Sequence, residues 1–244
     1  MWLLLFIWRR IYRMKLFSFD SPLMSGVMKL GSLIVVTFLW LLFCVPVITA
    51  GASTAAFYYT IQKNLKYSRG YTVSSFWESF KSNFSQATKI WLILFAMIIV
   101  LVLNIGAVRT LVAAGKAVGG LEILIRAVLI LIGIYAIWVF ACVARFENTT
   151  GRMMKNALYL TAGNLPFDIL ILLAFAGAAF VIWLMPPLVL LMPGVAMWLS
   201  SELIERAFRR NMTPEQRREE DERNMEWKND YDQEEQTGED NGSH

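Results

Sequence analysis

The run Arg145-Phe-Glu147-Asn148-Thr149-Thr150, at the end of an apolar stretch, holds a guanidinium, a carboxylate, an amide and two hydroxyls within six residues. Two readings fit it. Arg145 grips a phosphate or carboxylate while Asn148 and Thr149 complete the site. Alternatively Arg145 neutralises the carbonyl end of a spanning helix and pairs with Glu147. A second constellation sets the hydroxyls of Thr49, Ser53, Thr54, Tyr58 and Tyr59 just after Pro46. Hydroxyls at a break between membrane helices serve as a solute site in transporters. They equally suit a tight helical hairpin in which Gly, Ala and Ser let two backbones approach. Asp168, two residues after Pro166, is placed to favour the amino end of a helix electrostatically, and Asn104 is a candidate for an interhelical hydrogen bond.

Enzymatic chemistry finds little support. The single histidine is His244, the last residue, which removes the usual general base and zinc ligand from the body of the chain. Cys44 and Cys142 each lie inside an apolar run and read as small hydrophobes, so neither a disulfide nor a metal is expected. No glycine-rich phosphate loop, nucleophile elbow or paired-carboxylate site occurs. The expectation is a protein that is not an enzyme and has no cofactor.

The elements that carry these residues are apolar. Hydrophobic side chains make up 57% of the 244 residues and charged ones 17%, more apolar surface than a soluble domain of this size can bury. A bilayer accepts helices that are apolar all round, so the expected fold is all-α, a polytopic bundle of about six transmembrane helices, or five. The bundle is expected over residues 27–210. Residues 1–26 precede it as an interfacial segment, with Trp2 and Trp8 in the headgroups and Arg9, Arg10 and Arg13 on phosphates. A translation start at Met14 is the alternative for this piece.

The apolar run 27–61 is too long for one crossing and is divided by Pro46 into helices near 27–45 and 50–66. Residues 90–108 and 123–144 each span once, with Arg126 able to snorkel or to meet Glu122 one turn away. Met185-Pro186-Pro187 splits 167–203 into helices near 167–185 and 188–208. Between them, residues 72–89 are amphipathic: Phe76, Trp77, Phe80 and Phe84 share one arc and polar residues fill the rest. These four side chains are the candidate membrane-surface contacts of an in-plane helix; packing on the protein's own loops is the alternative. Residues 211–244 form an acidic tail, with 12 acidic and 4 basic side chains against 7 and 19 in residues 1–210; Thr213-Pro214-Glu215 reads as the cap of one exposed helix, and the remainder is expected to be disordered and cytoplasmic. Six crossings put 16 basic residues on one side and 3 on the other, so both termini are expected in the cytoplasm. The basic body flanks apolar runs, which points to membrane orientation and not to nucleic acid.

Three blocks resemble the bacterial YesL family: Val45-Pro-Val-Ile-Thr-Ala-Gly-Ala-Ser-Thr-Ala-Ala-Phe-Tyr-Tyr59, Phe76-Trp-Glu-Ser-Phe-Lys-Ser-Asn-Phe-Ser-Gln-Ala-Thr88, and Ala144-Arg-Phe-Glu-Asn-Thr-Thr150 continued by Asn156-Ala-Leu through Asn164-Leu-Pro166. The resemblance covers about residues 14–210. It implies a small multi-pass protein of the bacterial plasma membrane, often encoded beside sugar-uptake and polysaccharide-utilisation systems, and it brings no catalytic residue with it. The expected function is accessory or regulatory to a carbohydrate uptake or utilisation system. The expected partners are the lipid bilayer and subunits of a sugar transport system. The alternative functions are a small permease with a polar path between helices and, ranked below it, a membrane enzyme acting on lipid-linked sugar.

Overall fold

Proline cannot donate a backbone hydrogen bond, and at Pro46 the first apolar run breaks as expected. In the computed structural model, which describes residues 22–66, 72–146, 148–215, 217–219, 221, 222 and 225, helix α1 (Pro22–Cys44) ends just before it. A short 3-10 turn (Val47–Thr49) leads into α2 (Ala50–Thr60), which runs on into a π-helical turn (Ile61–Lys66). Thr49 Oγ1 closes the break, donating to the carbonyls of Phe43 (2.5 Å) and Pro46 (2.8 Å). The remaining helices are α3 (Thr72–Ala113), α4 (Gly119–Arg145), α5 (Thr150–Gly163), α6 (Leu165–Leu184) and α7 (Met192–Asn211). A 3-10 turn (Pro186–Leu190) at the expected Pro-Pro separates the last two. The described residues are all helix and turn, with no strand. Residues 1–21 and about two thirds of the acidic tail lie outside them, as do the expectations placed there; the described part of the tail is helical from Pro214 on.

Four of these helices are long and apolar enough to cross a membrane: α1 from Gly26, α3, α4 and α6. The protein is therefore a multi-pass helical bundle, but this criterion does not reach six crossings. Helix α2 has 11 residues and so rises only about 16 Å. Helix α7 places Glu202, Glu205, Arg206, Arg209 and Arg210 in its second half.

One expected boundary does not exist, and one helix was not expected. The amphipathic segment 72–89 is no separate helix: it is the first half of α3, a continuous helix of 42 residues and about 63 Å, twice the thickness of the hydrocarbon layer. Neither proline nor glycine stands between Thr72 and Asn104 to stop it. The buried positions Phe76, Phe80, Ala87, Ile90 and Leu94 also carry one stripe across the expected junction. The segment 145–163, which lies between the expected spans 123–144 and 167–185, holds the 14-residue α5.

The core lies where α2 packs between the first half of α3 and the end of α4. Close approach at Gly51 makes this possible. A methyl group there would come 2.5 Å from Trp91 Cβ and 2.7 Å from the Ala87 carbonyl oxygen. The second half of α3 and the first half of α4 form a hairpin with large apolar residues exposed, among them Val100, Leu103, Ile123 and Leu131. Its turn is set by Gly115 at φ +79°, a left-handed conformation natural to glycine. Lys116 N–H returns to the Leu111 carbonyl (3.1 Å) and Gly115 N–H to that of Val112 (3.0 Å), closing the helix end.

Candidate functional site

Tyr58, Arg145 and Glu205 come from three different helices and meet inside the protein. The Tyr58 hydroxyl donates to Glu205 Oε1 at 2.9 Å, and Arg145 Nη1 pairs with Glu205 Oε2. Little of either charged side chain is exposed: 16% for Arg145 and 6% for Glu205. Aromatic rings close the cluster. The guanidinium carbon lies 5.0 Å from the Phe208 ring centre and 5.6 Å from that of Phe146. Trp138 and Phe146 both meet Phe208 edge-on. One turn before Glu205, Gln62 Nε2 donates to the Ser201 carbonyl at 3.1 Å, which ties the π-helical turn to α7. A second buried polar contact links neighbouring helices, as Trp138 Nε1 donates to Asp168 Oδ1 at 2.6 Å.

This geometry satisfies the buried carboxylate. Each oxygen of Glu205 has its own donor, so the carboxylate is neutralised and hydrogen-bonded at once, the condition under which a buried ion pair is tolerated. Arg145 sits in the last turn of α4, where a cation also favours the helix end. Its partner is Glu205 of α7, 60 residues away. The partner expected from sequence, Glu147, lies outside the described residues. Asn148 and Thr149 are exposed; the Asn148 carbonyl accepts from Gln86 Nε2 at 2.8 Å, and Thr149 begins α5 without a side-chain cap. Tyr58 therefore joins Arg145, while Asn148 and Thr149 stand apart from it at the surface.

The hydroxyls after Pro46 divide in the same way. Ser53 Oγ donates to the Trp40 carbonyl at 3.0 Å. Thr54 Oγ1 accepts from Trp40 Nε1 at 3.2 Å and donates to the Ala50 carbonyl at 2.8 Å. Both fasten α2 to α1, with Trp40 stacked on Phe57 at 5.1 Å. Among these hydroxyls only that of Tyr58 reaches the charged cluster.

The aromatic arc is corrected in part. Phe76 and Phe80 are buried in the protein, with ring centres 5.8 and 4.9 Å from that of Phe43, because α1 covers this face of α3. Trp77 and Phe84 keep 43% and 39% of their surface exposed at its margin. Asn104 donates to the Val100 carbonyl of its own helix at 2.8 Å and makes no bond to another helix among the described residues. Arg126 does meet Glu122, at 2.5 Å, and Arg109 joins the same carboxylate at 3.0 Å.

Glu205 is the site residue that sequence reading missed. A signal existed: Gly194, Met197, Ser201, Ile204, Glu205 and Phe208 recur at spacings of three, four and one, which puts Glu205 on the buried face of α7. Among the described residues, no three His, Cys, Asp or Glu side chains converge as a metal would require. A cavity of about 240 Å³ opens between α4 and α6, lined by Ile130, Gly133, Ile134, Ile137, Ile171, Leu172 and Phe175.

Residues 33–105 match a family model described as "Protein of unknown function, DUF624", the family name of YesL-type proteins. The matched stretch runs from α1 into the second half of α3. It includes Ser53, Thr54, Tyr58 and the aromatic arc, and it stops before Arg145 and Glu205. No curated protein and no solved structure matches the chain.

Proposed function

We propose that this protein is a non-enzymatic accessory or regulatory component of a carbohydrate uptake or utilisation system in the bacterial plasma membrane. The observation that carries the reading is the engagement of both Glu205 oxygens by Tyr58 and Arg145, together with the use of Ser53 and Thr54 to bind helix to helix. Side chains spent in this way build a rigid scaffold. The carbohydrate setting rests on the resemblance to YesL-type proteins. Purification of the full chain in mild detergent tests the proposal: membrane subunits of a sugar transport system are expected to co-purify. Sugar uptake by the chain alone in proteoliposomes would count against it.

A small permease is the second reading, and one observation favours it. Gln62 Oε1 and Ser200 Oγ are buried without a partner among the described residues, close in sequence to the Gln62–Ser201 contact. Such atoms serve a transported solute or an ordered water. Solute flux that falls in Gln62→Leu and Ser200→Ala variants of normal stability would make this the better account.

Charge supports an orientation with both termini cytoplasmic. The Gln86–Asn148 hydrogen bond joins the two basic stretches 63–89 and 145–163 at one face of the bundle, whereas Arg109, Lys116 and Arg126 belong to the far hairpin. Reporter fusions at Arg69, Gly151 and Arg210 should read cytoplasmic, and one at Lys116 external. An external signal at Arg69 with a cytoplasmic one at Lys116 would invert the arrangement.

A further inference from the structure

Helix α5 connects two helices capable of crossing the membrane, and its exposed face has the composition of a bilayer surface contact. Met153 and Ala157 are buried against the protein, while Leu158 is 61% and Tyr159 77% exposed. Arg152 and Lys155 lie on the exposed side with them. The placement follows from chain connectivity. If α4 and α6 both span, the carboxyl end of one and the amino end of the other return to the same face of the membrane, and the Trp138–Asp168 bond holds those ends together. The 14 residues of α5 must lie at that face. Beside it, the Tyr135 hydroxyl donates to the Met154 carbonyl at 3.0 Å. Tyr135 is flanked on α4 by Ile134 and Ile137, which line the apolar cavity between α4 and α6.

From this juxtaposition we infer that the protein binds an anionic phospholipid, with its headgroup on Arg152 and Lys155 of α5 and one acyl chain in the groove between α4 and α6. Each part supplies what the other lacks. The groove takes hydrocarbon and does not discriminate headgroups; the two cations select negative charge, and Leu158 and Tyr159 seat the helix at the depth where rings and headgroups meet. The inference does not depend on the carbohydrate reading.

Two variants of the full chain separate the parts. Arg152→Gln/Lys155→Gln removes the charge from exposed positions. Gly133→Leu fills the groove from a glycine whose added Cβ meets nothing within 4 Å, so the fold should tolerate it. Native mass spectrometry from mixed phosphatidylglycerol and phosphatidylcholine nanodiscs reads the lipid retained. The wild-type chain should prefer phosphatidylglycerol, and the double variant should lose roughly twenty-five-fold of that preference, given a factor of about five for each basic side chain at an anionic surface. Gly133→Leu should retain less of both lipids. An unchanged preference in the double variant, or unchanged retention in Gly133→Leu, overturns the inference. A salt titration of the wild-type chain reads the headgroup contact without mutation: phosphatidylglycerol retention should fall as salt rises, and retention that ignores salt also overturns it.

Discussion

The two ends of this molecule solve opposite problems with the same helices. At one end α2, the first half of α3, the end of α4 and α7 bury a charged pair, a tyrosine and a belt of aromatic rings. At the other, the α3–α4 hairpin exposes Val100, Leu103, Ile123 and Leu131 and carries its ion pairs at the surface around Glu122. Apolar residues mean different things in the two places. In the hairpin they face lipid, which is as apolar as the side chains themselves and gives helices little reason to associate. In the packed end, close contact and the hydrogen-bonded charge pair hold the helices together, so the loss of a side chain there is felt by its neighbours.

The largest break in that contrast should come from the buried pair. Arg145→Ala or Glu205→Ala breaks a buried charge pair by removing one partner, which costs about 3–5 kcal/mol and should show as low membrane abundance and a large fall in detergent melting temperature. The double change Arg145→Met/Glu205→Leu should recover most of that loss, because it removes both desolvation costs. Failure to recover would mean that the cluster does more than join helices. Arg145→Lys keeps the charge but gives up the planar stacking on Phe208, and should fall between wild type and alanine.

Tyr58→Phe comes next, since it deprives a buried carboxylate oxygen of its donor at a cost of about 1.5–3 kcal/mol, measurable in the same melts. A comparable effect is expected at Gly51. Gly51→Ala forces a methyl group onto Trp91 Cβ and the Ala87 carbonyl, and overpacking of this kind costs about 1–3 kcal/mol. The identical change at Gly106, in the second half of α3, meets nothing within 4 Å and should be neutral or slightly stabilising. This pair sharpens the comparison most cleanly, because the chemistry is the same and only the location differs. The smallest effect belongs to Glu122→Gln, which should leave the melting temperature unchanged because the pairs it breaks are exposed. A clear fall there would show that the hairpin tip is packed in the assembled protein.

Sequence alone determined that this chain lives in a membrane, where its apolar runs lie, and that Pro46 and Pro186-Pro187 interrupt them. Those properties are sums over neighbouring residues, and a sum over neighbours can be read without a fold. Arg126 met Glu122 for the same reason, since one helical turn separates them. Residues 72–89 were harder. Their amphipathic pattern was correct, but a stripe of Phe76 and Phe80 looks alike whether lipid or α1 covers it, and only the position of Phe43 decides. Nor does periodicity say whether α3 stops near Lys89, because nothing breaks the helix and the change of surroundings there is tertiary. The site shows the limit most plainly. Arg145 and Tyr58 could be picked out as capable side chains, yet their meeting depends on Glu205, which is 60 residues from one and 147 from the other. A buried carboxylate is tolerable only where separate helices bring it both a cation and a donor, and that three-body condition exists in the folded arrangement and nowhere in the local sequence.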